Sequence, residues 1–237
     1  MAGLMAFFPE TCTVLGVCEP VSSLSHLVAG VLAVAAAVPL VRASGSNLGH
    51  RVALAVYATA VIALLTISGA YHSLGGGQLR VVMQHADHLA IWILIAGTFT
   101  AIHGIMCRGF WRRWVLVFVW TYVAVAIVVE SIWFEELSGA PCLAMYLALG
   151  WLGLATIIKL GRQIGFRATA PVWAGGLVFS VGAVLEALGL PVISRPWLGP
   201  HELFHFAVIA GVVIHWTFIR RLVLVYAAGQ TAAGKTR

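Results

Sequence analysis

The sequence predicts an all-α membrane protein, a bundle of seven transmembrane helices, and three observations predict it. Of 237 residues, 61% are hydrophobic and 9% are charged, whereas a soluble domain carries about 25% charged residues. A water-soluble fold of this size has no means of hiding so much apolar surface. The apolar residues also gather into seven runs, each near the length of about 20 residues that a spanning helix needs. Finally, backbone groups in the hydrocarbon must be satisfied within their own segment, and runs of this length do that as helices.

The runs are Ser22–Val41, Val52–Leu74, Leu89–Met106, Trp114–Val129, Cys142–Leu160, Pro171–Leu190 and Leu203–Tyr226. The separators carry turn chemistry: Ser44-Gly45-Ser46-Asn47 after the first, Gly75-Gly76-Gly77 after the second, Ser138-Gly139-Ala140-Pro141 before the fifth, and Ser194-Arg195-Pro196 before the seventh. Gly150, Gly153, Gly175, Gly176 and Gly182 inside the runs are expected to let helices approach closely. Trp111, Trp114, Trp133, Trp173, Trp197 and Trp216 are expected mostly as interfacial anchors. A single domain over residues 1–237 is expected, with a short N-terminal segment (1–21) and a short basic C-terminal tail (227–237). Met1 to Cys12 lacks a basic n-region, so no cleavable signal peptide is expected.

The formal charge of +6 does not indicate a nucleic-acid partner, because the basic residues sit in short loops rather than in a patch. They set the orientation instead. Arg42, Arg51, Arg108, Arg112, Arg113, Lys159, Arg162, Arg167, Arg220, Arg221, Lys235 and Arg237 fall on one side of the alternating spans, and Arg80 and Arg195 on the other. Glu130, Glu135 and Glu136 fall on the poor side, where acids count little. The positive-inside rule then places the N-terminus outside and the C-terminus in the cytoplasm. Cys12, Cys18 and Cys142 would face an oxidising space, so a bridge from the N-terminal segment to Cys142 is open on sequence grounds. None of the four cysteines forms a CxxC pair, which speaks against a thiolate metal site.

Ionisable residues in spanning segments are expensive and usually functional. Here they converge at one level. His201 and His205, four apart, share one helix face. His72 ends the second run, Asp87 and His88 precede the third, and Glu19, Ser22 and His26 open the first. With alternating spans, all of these lie on the same side of the bilayer. His72, His201 and His205 supply three nitrogens for a metal such as Zn2+, whose catalytic sites keep a fourth position for water. Three imidazoles plus water favour zinc, although iron or cobalt would fit. Asp87 is suited to hold or deprotonate that water, and Ser68, one turn before His72, to bind the water or an oxyanion. A metal-activated water at lipid depth points to an amide or ester of a membrane lipid as its target.

Plainer readings stand beside these. The His201–His205 pair also suits interfacial residues bonded to loops. Ser68 also suits a packing residue bonded to a backbone carbonyl. Glu19 also suits a helix N-terminus, and His26 either a partner of a ligand or a polar residue near the headgroups. Glu186 either snorkels or lines a cavity. His85, His88, His103 and His215 lack partners at fixed spacing and carry no ligand role, and His50 is read as a loop residue.

Ser68-x-x-Tyr71-His72, then Asp87-His88-Leu89-Ala90-Ile91 running into Ile95-Ala96-Gly97-Thr98-Phe99-Thr100, resembles the hemolysin III family, within the progestin and adipoQ receptors. The likeness continues through Gly150-Trp151-Leu152, Gly175-Gly176, Gly182-Ala183-Val184 and His201-Glu202-Leu203-Phe204-His205, and covers the chain from Glu19 to His215. The resemblance implies a seven-helix bundle with an intramembrane zinc. It implies His72, His201 and His205 as ligands, Asp87 at the zinc-bound water, Ser68 as the motif serine, and Glu19 and His26 in the first motif. Ser22 stands where that motif has asparagine, which bears on an amide hydrogen bond and not on the metal. The wider superfamily includes alkaline ceramidases, so the resemblance implies lipid amide hydrolysis as its sharpest activity. The bacterial branch, of the plasma membrane, implies membrane permeabilisation, and the animal branch implies receptor signalling with a structural metal. A pore needs a polar track through the bilayer, whereas these polar residues cluster at one level. Bacterial members usually place the N-terminus inside, with basic residues after the second helix. Here that segment holds only Arg80, and the charge count gives the reverse.

Overall fold

The structure, a computed structural model, describes residues 16–194 and 197–234. The order is α1 (Pro20–Arg42), α2 (Leu48–Ser73), α3 (Gln78–Met106), α4 (Gly109–Ile132), α5 (Phe134–Leu137), α6 (Ala140–Ile164), α7 (Phe166–Ala187) and α8 (Pro200–Gly234). All but the four-residue α5 are long and apolar enough to cross a membrane. Among the described residues there is no strand, only an isolated antiparallel bridge between Ser194 and Leu198.

Local chemistry sets the joints. Asn47 caps α2, its side-chain oxygen accepting from the His50 amide at 3.0 Å. Gly165 both ends α6 and begins α7 with φ 92°, a left-handed backbone that a side chain would oppose. Consecutive spans therefore run antiparallel, and two different ends result. One carries Glu19, the end of α2 and the start of α8, joined by a bond from the Glu19 amide to the His72 carbonyl at 3.0 Å. The other carries the arginines, with Arg108 donating to the Tyr226 hydroxyl at 2.8 Å and Lys159 over the Trp111 ring.

The spans divide into inner and outer helices. In α3 and α2, 61% and 56% of the apolar window is buried, against 22% or less in α1, α4, α6 and α7. One core wraps α2, where Leu54, Tyr57, Val61 and Leu65 are inaccessible, and draws in α1, α3 and α8. A second joins α3, α4 and α6 around Trp92, Val123 and Leu149. The outer faces present valine, leucine and phenylalanine outward, as lipid requires.

Several expectations are corrected here. α3 begins at Gln78, eleven residues before Leu89, so Asp87 and His88 lie in its third turn rather than before it. Its early turns hold Arg80, Gln84 and His85, and an apolar-run reading stops at such residues although protein surrounds them. His50 is not in a loop; it lies in the first turn of α2, buried against Tyr226. Trp216 is not an interfacial anchor but packs on Tyr57 in the core, ring centroids 5.6 Å apart. Cys18 is disulfide-bonded and Cys142 is a free, buried thiol, so no bridge reaches Cys142. Cys12, Arg195, Lys235 and Arg237 lie outside the described residues.

The glycines also sort differently. Gly175 and Gly182 lie against His215 and Ala207, and Gly153 against Phe99, but Gly150 and Gly176 face open space. A further tight helix approach at the site end is Gly69, between α1 and α2. A Cβ there would stand 2.7 Å from the Leu27 side chain and 3.0 Å from its backbone nitrogen. Gly69→Val is therefore expected to lower stability by about 1–3 kcal/mol through overpacking between α1 and α2, whereas Gly150→Ala is expected to change it by less than about 0.5 kcal/mol. Thermal melts of the two variants check this, and equal melting would contradict the assigned packing.

Candidate metal centre

His72 stands in the last turn of α2, and His201 and His205 on one face of the first turns of α8. Each offers a ring nitrogen, and the three nitrogens lie within 4.8 Å of one another. The ring centroids are 4.5–4.8 Å apart. His72 and His205 are buried and His201 is half-buried.

The opposite ring nitrogens are already engaged. His72 Nδ1 meets Glu19 Oε2 at 2.5 Å, His201 Nδ1 meets Glu186 Oε1 at 2.5 Å, and His205 Nδ1 lies 3.1 Å from the His26 ring nitrogens. In His72 and His201 the carboxylate accepts the Nδ1 hydrogen, which leaves Nε2 as the lone-pair nitrogen. The Nε2 atoms of His201 and His205 approach to 2.9 Å, and His72 Nε2 is buried with no hydrogen-bond partner among the described residues. The buried His72 Nε2 beside that close pair gives three nitrogens on which one cation would settle. The donor set therefore fits a metal ion, with nitrogen ligands suited to zinc and its neighbours.

Asp87 reaches the same point from α3, its Oδ2 3.9 Å from His72 Nε2. The buried Ser68 hydroxyl is within hydrogen-bonding reach of Asp87. His26 stacks edge-on against His205, centroids 4.2 Å apart. Ser22 is fully buried, and no hydrogen bond joins its hydroxyl to the triad. Its neighbour Ser23 instead donates to the Gly69 carbonyl at 2.8 Å.

Three residues named in the sequence have partners there that the sequence did not indicate. Arg80, counted there only as a loop charge, is 2% exposed; its guanidinium donates to Glu19 Oε1 and to the Leu74 carbonyl. Burial opposes the Glu19 charge, but His72 and Arg80 outweigh it and hold the carboxyl at about 2. Glu186 lines a cavity, as one reading allowed, but it also orients His201. Glu130 is fully buried on α4 and collects Trp92, His88 and Tyr146. The one signal available was an acidic residue within an apolar run. The remaining histidines have partners of their own: His103 the Phe99 carbonyl and Thr156, His215 the Val172 carbonyl, and His85 the Phe134 ring.

A cavity of about 650 Å³ opens from this centre between α3, α6, α7 and α8. Its head is polar, with Ser68, Asp87, His201 and His205. Its body is apolar, with Ile95, Phe99, Leu147 and Val208, and it reaches His103 and His215 far along the bundle.

Comparison with known proteins decides the family. Residues 17–216 match the family described as Haemolysin-III related. This chain belongs to that family. The haemolysin III chain is 27% identical to Hemolysin-3 of Bacillus cereus over 168 residues, 70% of this chain and 76% of the relative. It is 25% identical to the Hemolysin-3 homolog of Bacillus subtilis, covering 70% and 78%. It is 26% identical to the ADIPOR-like receptor IZH2 of Saccharomyces cerevisiae over 224 residues, 83% of this chain and 69% of the relative. These matches support the wider progestin and adipoQ receptor family. With its seven apolar helices, the haemolysin III chain is an integral, multi-pass membrane protein.

Proposed function

We propose that this haemolysin III protein is a zinc-dependent intramembrane hydrolase that cuts an amide or ester of a lipid, in the manner of a ceramidase. The observation that carries this reading is a carboxylate, Asp87, set opposite three convergent imidazole nitrogens at the polar head of an otherwise apolar cavity. A metal serving only to tie helices together does not need that carboxylate or that cavity.

His72, His201 and His205 would hold the ion, which when bound supplies Lewis acidity, lowering the pKa of water toward about 7 and polarising a carbonyl. The chain's own groups do the rest. Asp87 accepts the proton of the attacking water and orients its oxygen toward the acyl carbon. Ser68, within reach of Asp87, presents its hydroxyl to the developing oxyanion. Glu19 and Glu186 keep the histidine rings in place, and the apolar walls take the lipid chain out of water.

The test is hydrolysis of a panel of fluorescent ceramides and acyl lipids by purified protein. Asp87→Ala is expected to lower turnover by about 100-fold or more while retaining the metal. Wild type releasing no more fatty acid than Asp87→Ala across the panel would end the enzymatic reading. A sensor with a structural metal is the second reading, favoured by the bridging of α2 to α8 by the triad and by the receptor name of the yeast relative. It expects Asp87→Ala to leave membrane physiology intact. The name of the Bacillus relatives suggests a lysin, but the cavity walls are apolar over most of their length; dye release from liposomes at low protein density would revive that reading.

The arginine-rich end sets the proposed orientation in the plasma membrane of a bacterium, with the metal near the outer face and the C-terminus in the cytoplasm. A cysteine placed at Arg221 in a background lacking native cysteines is expected to resist a membrane-impermeant maleimide in intact cells. Rapid labelling there would reverse the orientation.

A further inference from the structure

Glu130 and the groups around it are not used by the reaction set out above, yet they stand beside it. The Glu130 side chain is fully buried between α3, α4 and α6. It takes the indole N–H of Trp92 at 2.6 Å, has the Tyr146 hydroxyl 3.3 Å from both carboxylate oxygens, and meets His88 Nδ1 at 3.1 Å. The Tyr146 hydroxyl also lies 3.1 Å from the His88 carbonyl. The His88 ring is thus held from behind by a carboxylate on Nδ1, and its backbone carbonyl by Tyr146. The ring's other nitrogen has no hydrogen-bond partner among the described residues. His88 lines the cavity that Asp87 also lines, and its side chain is partly exposed. A buried carboxylate behind an imidazole is the arrangement that orients a proton-transfer histidine and balances its charge.

We infer that His88, held by Glu130, is the proton donor to the leaving group in the hydrolysis proposed for this site. The inference rests on that hydrolase reading. Amide cleavage needs such a group, because an amine departs only after its nitrogen is protonated, and Asp87 is occupied with the proton of the water. The water oxygen bonds to the acyl carbon, and one water proton passes to Asp87. The carbon–nitrogen bond then breaks, its electron pair staying on nitrogen, which takes the Nε2 proton of the His88 imidazolium, whose Nδ1–H stays on Glu130. Asp87, the adjacent residue on α3, returns its proton to His88. One water is consumed, and one fatty acid and one amine are released. Glu130 is a positioning residue, acting through the ring.

A structural role for the cluster makes a different prediction, because gluing α3 to α4 and α6 does not depend on the leaving group. The experiment uses full-length, metal-loaded protein with a fluorescent ceramide and a nitrophenyl ester of the same acyl chain, whose leaving group departs without protonation. His88→Gln is expected to lower ceramide turnover by about 100-fold and ester turnover by no more than about fivefold. Glu130→Gln, which keeps the shape and an acceptor oxygen, is expected to show the same bias at about tenfold, so the inference stays testable should His88→Gln fold poorly. Equal losses on both substrates, or full ceramide turnover in His88→Gln, would overturn the inference and leave the hydrolase reading standing. Wild type cleaving neither substrate would overturn both.

Discussion

Replacing His205 with alanine is expected to abolish metal binding, taking elemental analysis of the purified protein from about one ion per chain to near zero, since a three-nitrogen site reduced to two no longer meets the ligand number that zinc takes from proteins. The choice of His205 follows from its position. It is buried at the middle of the triad, its Nε2 2.9 Å from His201 Nε2 and its ring 4.6 Å from that of His72. Removing it also opens the contact that holds His26. The matched control is His215→Ala, on the same helix, whose ring is committed to the Val172 carbonyl and stands apart from the triad. That variant should keep its ion. Chelator sensitivity adds a second readout. Wild type and His215→Ala should both lose thermal stability when the metal is stripped, whereas His205→Ala should melt at the same temperature with or without chelator. A His205→Ala protein that still carries one ion per chain would dismiss the triad as the site.

The convergence of His72, His201, His205 and Asp87 was legible in the sequence because alternation alone brings the end of the second span to the start of the seventh. A spacing of four then puts the last two histidines on one face. The spans were legible for the same reason, since hydrocarbon thickness sets their lengths. What was not legible is the polar chemistry that folds over the site. Arg80 and Asp87 sit in helical turns of α3 that hydropathy excludes, because the protein's own Glu19 and His72, rather than lipid, surround them. Glu130 passed as a minor topological charge, because nothing in an apolar run announces that Trp92 and Tyr146 from two other helices will reach it. Glu186 and His201 are fifteen residues apart, with a turn between them, and their pairing depends on how α7 and α8 close. Spacing within one helix is readable from sequence, whereas partners supplied by a different helix depend on the packing.

Arg80 carries the other large expected effect. It is buried, its guanidinium holds Glu19, and Glu19 in turn holds His72. Arg80→Met would leave a carboxylate without its main counter-charge and the Leu74 carbonyl without its donor. Breaking a buried pair from one side costs about 3–5 kcal/mol, so the melting temperature should fall by roughly 6–20 °C at the usual scale for a chain of this size. Arg113→Met, at the exposed opposite end, should move it by less than about 2 °C. A neutral partner should recover part of the loss. In Glu19→Gln with Arg80→Met no unpaired charge is buried, so the double variant should be more stable than the sum of the two single losses predicts. The metal supplies an independent measure. With Glu19 free to swing, His72 loses the carboxylate that orients its ring, and affinity should drop by about 10- to 100-fold in Arg80→Met. An Arg80→Met protein that melts with wild type would mean that Glu19 finds its counter-charge elsewhere, and the link from α3 through Glu19 to the metal ligand would have to be abandoned.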